Sequence, residues 1–195
     1  VLCDAFESAL QKGMKTIEGN LARQLKKGTI TEEIMNNTLG NIKTTLDMND
    51  GKDVDLVVEA ATENKELKFK IFRNMEEIVN PNAILASNTS TISITEIAAQ
   101  TNRPSKVIGM HFMNPVPMMK LVEIINGLST APEVYDTIIN LSKSLGKIPV
   151  TANDYPGFIA NRILLPFINE ACYALMENIG TVEGIDEVAK LGFAH

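Results

Sequence analysis

The segment IGMHFMNPVPMMKLVE, residues 108–123, carries one of the chain's two histidines. An apolar run delivers His111 into a turn punctuated by Pro115 and Pro117, and a second apolar run delivers Glu123. An imidazole exchanges protons near neutral pH, which suits it to general acid–base work. A carboxylate on its other ring nitrogen fixes the tautomer and stabilises the imidazolium. The two residues therefore suit proton transfer, provided the turn places them on neighbouring strands. The same pattern also describes a structural histidine in an apolar strand beside an unrelated acid, and these residues alone leave both readings open.

Other polar candidates share one location, the end of an apolar run. Asp4 follows VLC, Glu59 and Glu63 lie around the end of DLVVEAA (55–61), and SNTS (87–90) follows AILA. His111 and Asn114 follow KVIGM in the same way. In open α/β sheets ligands bind in the crevice beyond the carboxyl ends of the strands, so this gathering suits a site. Asp4 stands where a dinucleotide-binding fold places the acid that accepts the adenosine ribose hydroxyls. An acid there favours NAD over NADP, because a 2′-phosphate would face like charge. A turn or helix-capping aspartate is the competing reading. Asn88 and Ser90 could present an amide and a hydroxyl to a ligand oxygen, or serve turn and capping chemistry before the next helix.

Asn161-Arg162 opens a late helix, from which a side chain could reach back across a cleft or simply face water. The stretches Lys65–Lys70 and Lys143–Lys147 read as solvated helix faces, with Lys68 kept as a ligand contact. Met113, Met118 and Met119 read as packing or pocket lining, and no metal-ligand spacing occurs.

The elements that must position these residues alternate in type. A helical pattern through Ala9, Leu10, Ile17, Leu21 and Leu25 breaks at Lys27-Gly28, and Thr31 caps a second helix. DLVVEAA is short, apolar and without alternation, as expected of a strand buried on both faces. Helical spacing at 64–79 follows, ended by Asn80-Pro81-Asn82. Strands are expected at 83–89, 106–112, 121–125 and 148–153, with helices at 92–100 and 132–145 between them. Buried strands alternating with helices predict a doubly wound, mostly parallel sheet of Rossmann type. From Gly157 onward only helix is expected, over 157–178 and 182–191. Asp154-Tyr155-Pro156-Gly157 marks the boundary, giving one domain over 1–155 and the start of an all-α domain over 156–195.

Composition narrows the class. A net charge of −6 offers no footprint for nucleic acid or an anionic membrane. No stretch approaches the ~18 apolar residues of a transmembrane helix, and the first residues lack the layout of a signal peptide. Cys3 and Cys172 read as free thiols of a reducing, cytoplasmic setting. Val1 at the end of an apparent strand, and KLGFAH at the other terminus, read as a piece that starts and stops inside larger fold units. No G-x-G-x-x-G occurs in these residues.

Several stretches together resemble the 3-hydroxyacyl-CoA dehydrogenase family, closest to the short-chain 3-hydroxybutyryl-CoA dehydrogenases of bacteria. They are DLVVEAATEN (55–64), ILASNTSTISITEIA (84–98), VIGMHFMNPVPMMKLVEII (107–125), PGFIANRIL (156–164) and IDEVAKLGFAH (185–195). The resemblance implies a Rossmann-type NAD domain lacking its first strand and glycine-rich loop, then a helical substrate and dimerisation domain. It implies that His111 is the catalytic base, Glu123 its partner, and Ser90 and Asn161 the groups that hold the reacting oxygen. Asp4, Ala60, Glu63, Lys68, Asn88 and Asn114 match cofactor-side positions, with Lys68 open to a role at CoA and Asn114 to one in the substrate pocket. The implied chemistry interconverts 3-hydroxyacyl-CoA and 3-oxoacyl-CoA with NAD(H), in a homodimer or higher homo-oligomer. The alternatives are a dehydrogenase module of a multifunctional fatty-acid oxidation protein and a non-catalytic relative that kept the fold.

Overall fold

A computed structural model of the chain describes residues 1–194. Strand β1 (Leu2–Cys3) pairs in parallel with β2 (Thr44–Thr45), and helices α1 (Glu7–Lys26) and α2 (Glu32–Gly40) connect them. A second sheet has the order β3 (Leu56–Glu59), β4 (Ile84–Ser87), β5 (Val107–Phe112), β6 (Leu121–Asn126) and β7 (Ile148–Asn153). Its pairings are parallel except β5 with β6, which run antiparallel. Helices α3 (Lys65–Ile78), α4 (Ile94–Ala98) and α5 (Pro132–Ser144) make the connections, and α6 (Ala160–Met176) and α7 (Val182–Glu187) follow the last strand. This is the expected mostly parallel, Rossmann-type arrangement.

The continuous apolar runs have a physical cause. Successive strand residues point to opposite faces. Leu85, Val107 and Ile125 pack with Phe72, Ile94 and Ile97 of α3 and α4 on one face. Ala86, Ile108 and Ile124 pack with Val134 and Ile138 of α5 on the other. Helices on both sides of the central strands leave no face for water, so the strands cannot alternate apolar with polar. Local signals agree: Thr31 caps α2 by accepting from the Ile34 N–H, and Asn64 caps α3 by accepting from the Leu67 N–H.

Four details depart from the expectation. Strand β2 carries no apolar run to reveal it, since it is two threonines pairing with β1. Strand β3 is not buried on both faces. It lies at the edge of its sheet, and Val58 is 40% exposed. Helix α6 starts at Ala160 rather than at 157, because Gly157 and Phe158 hold φ of 81° and 48°, outside the helical region. The last helix narrows to α7, continued by one π-helical turn at Val188–Gly192. Both cysteines are free and exposed, and among the described residues no helix is long and apolar enough to cross a membrane.

Gly109 shows how tightly the site strand is packed. A Cβ there would lie 2.8 Å from Ile125 Cβ and 3.0 Å from the Ile94 side chain. Gly109→Ala should cost about 1–3 kcal/mol by overpacking. The expected readout is a lower denaturant midpoint with an unchanged slope; a wild-type midpoint would show that the β5–β6 layer yields without cost.

Candidate active site

A short antiparallel turn brings His111 and Glu123 face to face. Residues 113–120 return the chain directly, with a cis bond at Asn114–Pro115, and set His111 opposite Glu123 in the ladder. Opposed residues on adjacent strands share a face, so the side chains meet. His111 Nδ1 lies 2.8 Å from Glu123 Oε2. His111 Nε2 lies 3.0 Å from Ser90 Oγ. Both residues are buried, Glu123 at 1% exposure.

Hydrogen-bond accounting assigns the proton. Glu123 Oε1 accepts the backbone N–H groups of Ile159 and Ala160 at 2.9 and 3.0 Å. The carboxylate is thus an acceptor toward the backbone and toward the ring, so Nδ1 carries hydrogen and donates. In the neutral imidazole Nε2 is left bare, and it accepts the Ser90 hydroxyl. A ring held this way offers a basic nitrogen toward Ser90. Phe158 packs edge-on to the imidazole, with ring centroids 5.8 Å apart.

The segment after β7 supplies the lid of this pair. Asp154 accepts from Ser93 Oγ at 2.7 Å, from the Ile94 N–H at 2.9 Å and from the Thr95 N–H at 2.8 Å, which fastens the segment to α4. Residues 155–159 then cross to the Glu123 carboxylate and start α6. Asn161, in the first turn, donates from Nδ2 to the Ser90 backbone carbonyl at 3.3 Å. The structure thus brings His111, Glu123, Ser90 and Asn161 together.

The remaining candidates lie around the carboxyl ends of β1, β3, β4 and β5. Asp4 does turn duty, its Oδ1 accepting from the Phe6 N–H at 3.0 Å, and the other carboxylate oxygen is not used in that turn. Ala60 is exposed at the end of β3. Asn88 ties β4 to β5, its Oδ1 accepting from the Phe112 N–H at 2.8 Å. Asn114 is exposed at the turn after β5. Glu63 faces the SNTS turn and accepts from Ser90 and Thr91 backbone N–H groups at 2.9 and 3.0 Å. Turn chemistry and site chemistry therefore coexist in SNTS rather than compete.

Lys68 is not on a solvated face. It is 1% exposed, and its ammonium bonds both Glu59 carboxylate oxygens at 2.8 and 3.0 Å and the Ala61 carbonyl at 3.0 Å. Glu59 also accepts from Ser87 Oγ at 2.7 Å. A buried ion pair needs this full set of partners to offset the loss of water. Glu59 and the SNTS stretch that holds Ser87 are among the strand-end candidates, whereas Asp154 and Phe158 are site-supporting residues that no motif singles out. One signal was present: Lys68 falls at i, i+3, i+4 and i+7 spacing with Ile71, Phe72 and Met75, on the buried stripe of α3.

Comparison with known proteins gives the family. The family model of the 3-hydroxyacyl-CoA dehydrogenase NAD-binding domain matches residues 1–155, and that of the family's C-terminal domain matches 157–195. The chain belongs to the 3-hydroxyacyl-CoA dehydrogenase family. It is an NAD-dependent oxidoreductase of that family. It is 48% identical over 195 residues to the 3-hydroxybutyryl-CoA dehydrogenase of Bradyrhizobium diazoefficiens, covering all of this chain and 67% of the relative. A probable 3-hydroxybutyryl-CoA dehydrogenase of Bacillus subtilis is 46% identical over 192 residues, covering 98% of this chain and 67% of the relative. The crystal structure of (S)-3-hydroxybutyryl-CoA dehydrogenase from Ralstonia eutropha superposes with a TM-score of 0.94 at 48% identity, covering 99% of this chain and 68% of that one. The chain thus spans about two-thirds of the length of these dehydrogenases.

Two outcomes follow for this dehydrogenase. Glu123→Gln puts an amide NH2 or a weaker acceptor against Nδ1, so kcat should fall about 100-fold or more; retention of wild-type kcat would show that the carboxylate does not hold the ring. Asp154 gives an acid-stability prediction. Burial raises its carboxyl, but hydrogen bonds from Thr95, Ser93 and Ile94 outweigh this and leave it below its usual range. The unfolded chain then binds the proton more readily, so this stabilisation is complete above the usual carboxylate range and is lost as pH falls through the depressed value. Asp154→Asn should flatten the acid limb of a stability–pH curve, and an unchanged limb would contradict the assignment.

Proposed function

We propose that this chain interconverts 3-hydroxybutyryl-CoA and acetoacetyl-CoA with NAD(H), with His111 as general acid–base. The observation that carries this reading is the line Ser90 Oγ, His111 Nε2, His111 Nδ1, Glu123 Oε2, at 3.0 and 2.8 Å. The short acyl chain is supported by the names of the relatives at 46% and 48% identity.

The donor set around the strand ends fits the cofactor. Asp4 ends a parallel strand with one carboxylate oxygen outside its turn, suited to ribose hydroxyls. Small, exposed Ala60 leaves room for close approach at the end of β3. Glu63, backed by Lys68, Asn88 and Asn114 complete the cofactor-side assignment. When bound, the nicotinamide supplies the redox half of the reaction by exchanging hydride with C3 of the acyl chain.

The chain's own residues supply the proton half. In oxidation His111 Nε2 takes the proton of the C3 hydroxyl, and in reduction it returns a proton to the oxygen as hydride arrives at C3. Glu123 stabilises the imidazolium formed on the way and prevents the ring from turning. Ser90 and Asn161 hold the reacting oxygen beside Nε2, so orientation precedes chemistry. The division into a cofactor domain over 1–155 and a helical domain from 156 is supported by the change from sheet to helix after β7. The exposed apolar side chains of α6, including Ile163 and Leu165, support a homodimer or higher homo-oligomer through the helical domain. The two exposed free thiols support a cytoplasmic setting.

The test is acetoacetyl-CoA-dependent NADH oxidation by the intact protein and by His111→Gln. Loss of about 1,000-fold in kcat is expected for the variant, the upper part of the range for general acid–base catalysis. Wild-type turnover by the variant would remove His111 from proton transfer.

A further inference from the structure

Glu63 has more work in this structure than a ligand contact requires. Its Oε1 accepts from four donors of one turn: the Thr89 hydroxyl, the Ser90 N–H at 2.9 Å, the Thr91 N–H at 3.0 Å and the Thr91 hydroxyl at 2.9 Å. Its other oxygen lies 3.5 Å from Lys68 Nζ, the ammonium already locked onto Glu59. All four donors lie on residues 89–91, and the middle residue is the one whose hydroxyl meets His111 Nε2.

We propose that Glu63 is a positioning residue for the proton-transfer site: it shapes the 89–91 turn so that Ser90 Oγ faces His111. The inference rests on the reading of His111 as the base and of Ser90 as a group that holds the reacting oxygen beside it. A turn of three small polar residues has several backbone and rotamer choices, and ordering them opposes their conformational entropy. One ionised oxygen collecting four donors favours a single arrangement, because charge-assisted hydrogen bonds are about twice as strong as neutral ones. Lys68 adds to what keeps the acceptor ionised and fixes it from behind, since the ammonium cannot leave Glu59 without depriving a buried carboxylate of its cation. Burial pushes the Glu63 carboxyl up, but hydrogen bonds from Thr89, Thr91 and Ser90, with the Lys68 charge, outweigh this and leave it below its usual range. The anchor is therefore formed well below neutral pH. The chain of placement runs from the edge strand β3 through α3 to the turn, and from the turn to the imidazole.

A double-mutant cycle on the intact protein with NADH and acetoacetyl-CoA tests this. Glu63→Ala should lower kcat about tenfold to 100-fold, the loss typical of a misplaced reacting group. The pH profile of kcat should move in the same direction as in Ser90→Ala. The double variant Glu63→Ala/Ser90→Ala should be no slower than Ser90→Ala alone, because Glu63 then has nothing left to position. Two effects that multiply, or a Glu63→Ala variant that raises only the KM for NADH, would overturn the proposal and leave Glu63 a cofactor contact. Wild-type kcat in Ser90→Ala would instead sink the reading on which the proposal rests. Glu63→Asp keeps the charge but withdraws it from the turn, and the same cycle with it decides the matter if the alanine variant folds poorly.

Discussion

The buried carboxylate of Glu123 is the constraint around which the site is organised. An ionised group out of water must have its oxygens filled by donors, and removing partners from such a group costs about 3–5 kcal/mol. Three donors meet the demand here: the imidazole from β5 and two backbone N–H groups at the start of α6. Satisfying one charge therefore fixes the tautomer of a ring and joins the helical segment to the sheet. The antiparallel β5–β6 pair makes this possible by placing the ring and the acid directly opposite each other.

A second buried charge organises the neighbouring strands by the same rule. Lys68 can be buried because Glu59 and the Ala61 carbonyl receive it, and Glu59 can be buried because Lys68 and Ser87 do. The two networks approach each other at the SNTS turn. Ser90 faces His111 with its side chain, while its backbone N–H belongs to Glu63 and its carbonyl to Asn161. Ser90 is thus held through its side chain, its N–H and its carbonyl by residues from three separate stretches of the chain. Preorganisation of this kind lets a proton move without rearranging the surroundings.

Much of this was legible in the residues. The apolar runs mark β4 to β6 because helices on both faces demand uniform apolarity in the central strands, while β3 and β7 lie at the sheet edges. The prolines between His111 and Glu123 mark a turn between two strands, but the residues alone leave a structural histidine open, and it is the family resemblance that pairs the two. A polar residue at a helix start suits either a cleft or water, and the crossing segment anchored by Asp154 shows why Asn161 turns inward. Lys68 lies on the buried stripe of α3 rather than on a solvated face, as its helical spacing with Phe72 and Met75 signals. Glu63 as an organiser of the 89–91 turn was out of reach, since contacts across more than twenty residues leave no local pattern. Strand β2 left none either, as two threonines pair through backbone alone.

The direct measurement of the central claim is the tautomer of His111, read from ring nitrogen-15 and carbon-bound proton correlations in the intact protein. This sequence holds two histidines, and His111→Gln assigns the His111 signal. The neutral ring should carry its hydrogen on Nδ1 and leave Nε2 bare, and Glu123→Gln should disturb that preference. A neutral His111 with hydrogen on Nε2 would contradict the account, because the nitrogen facing Ser90 could then accept no proton.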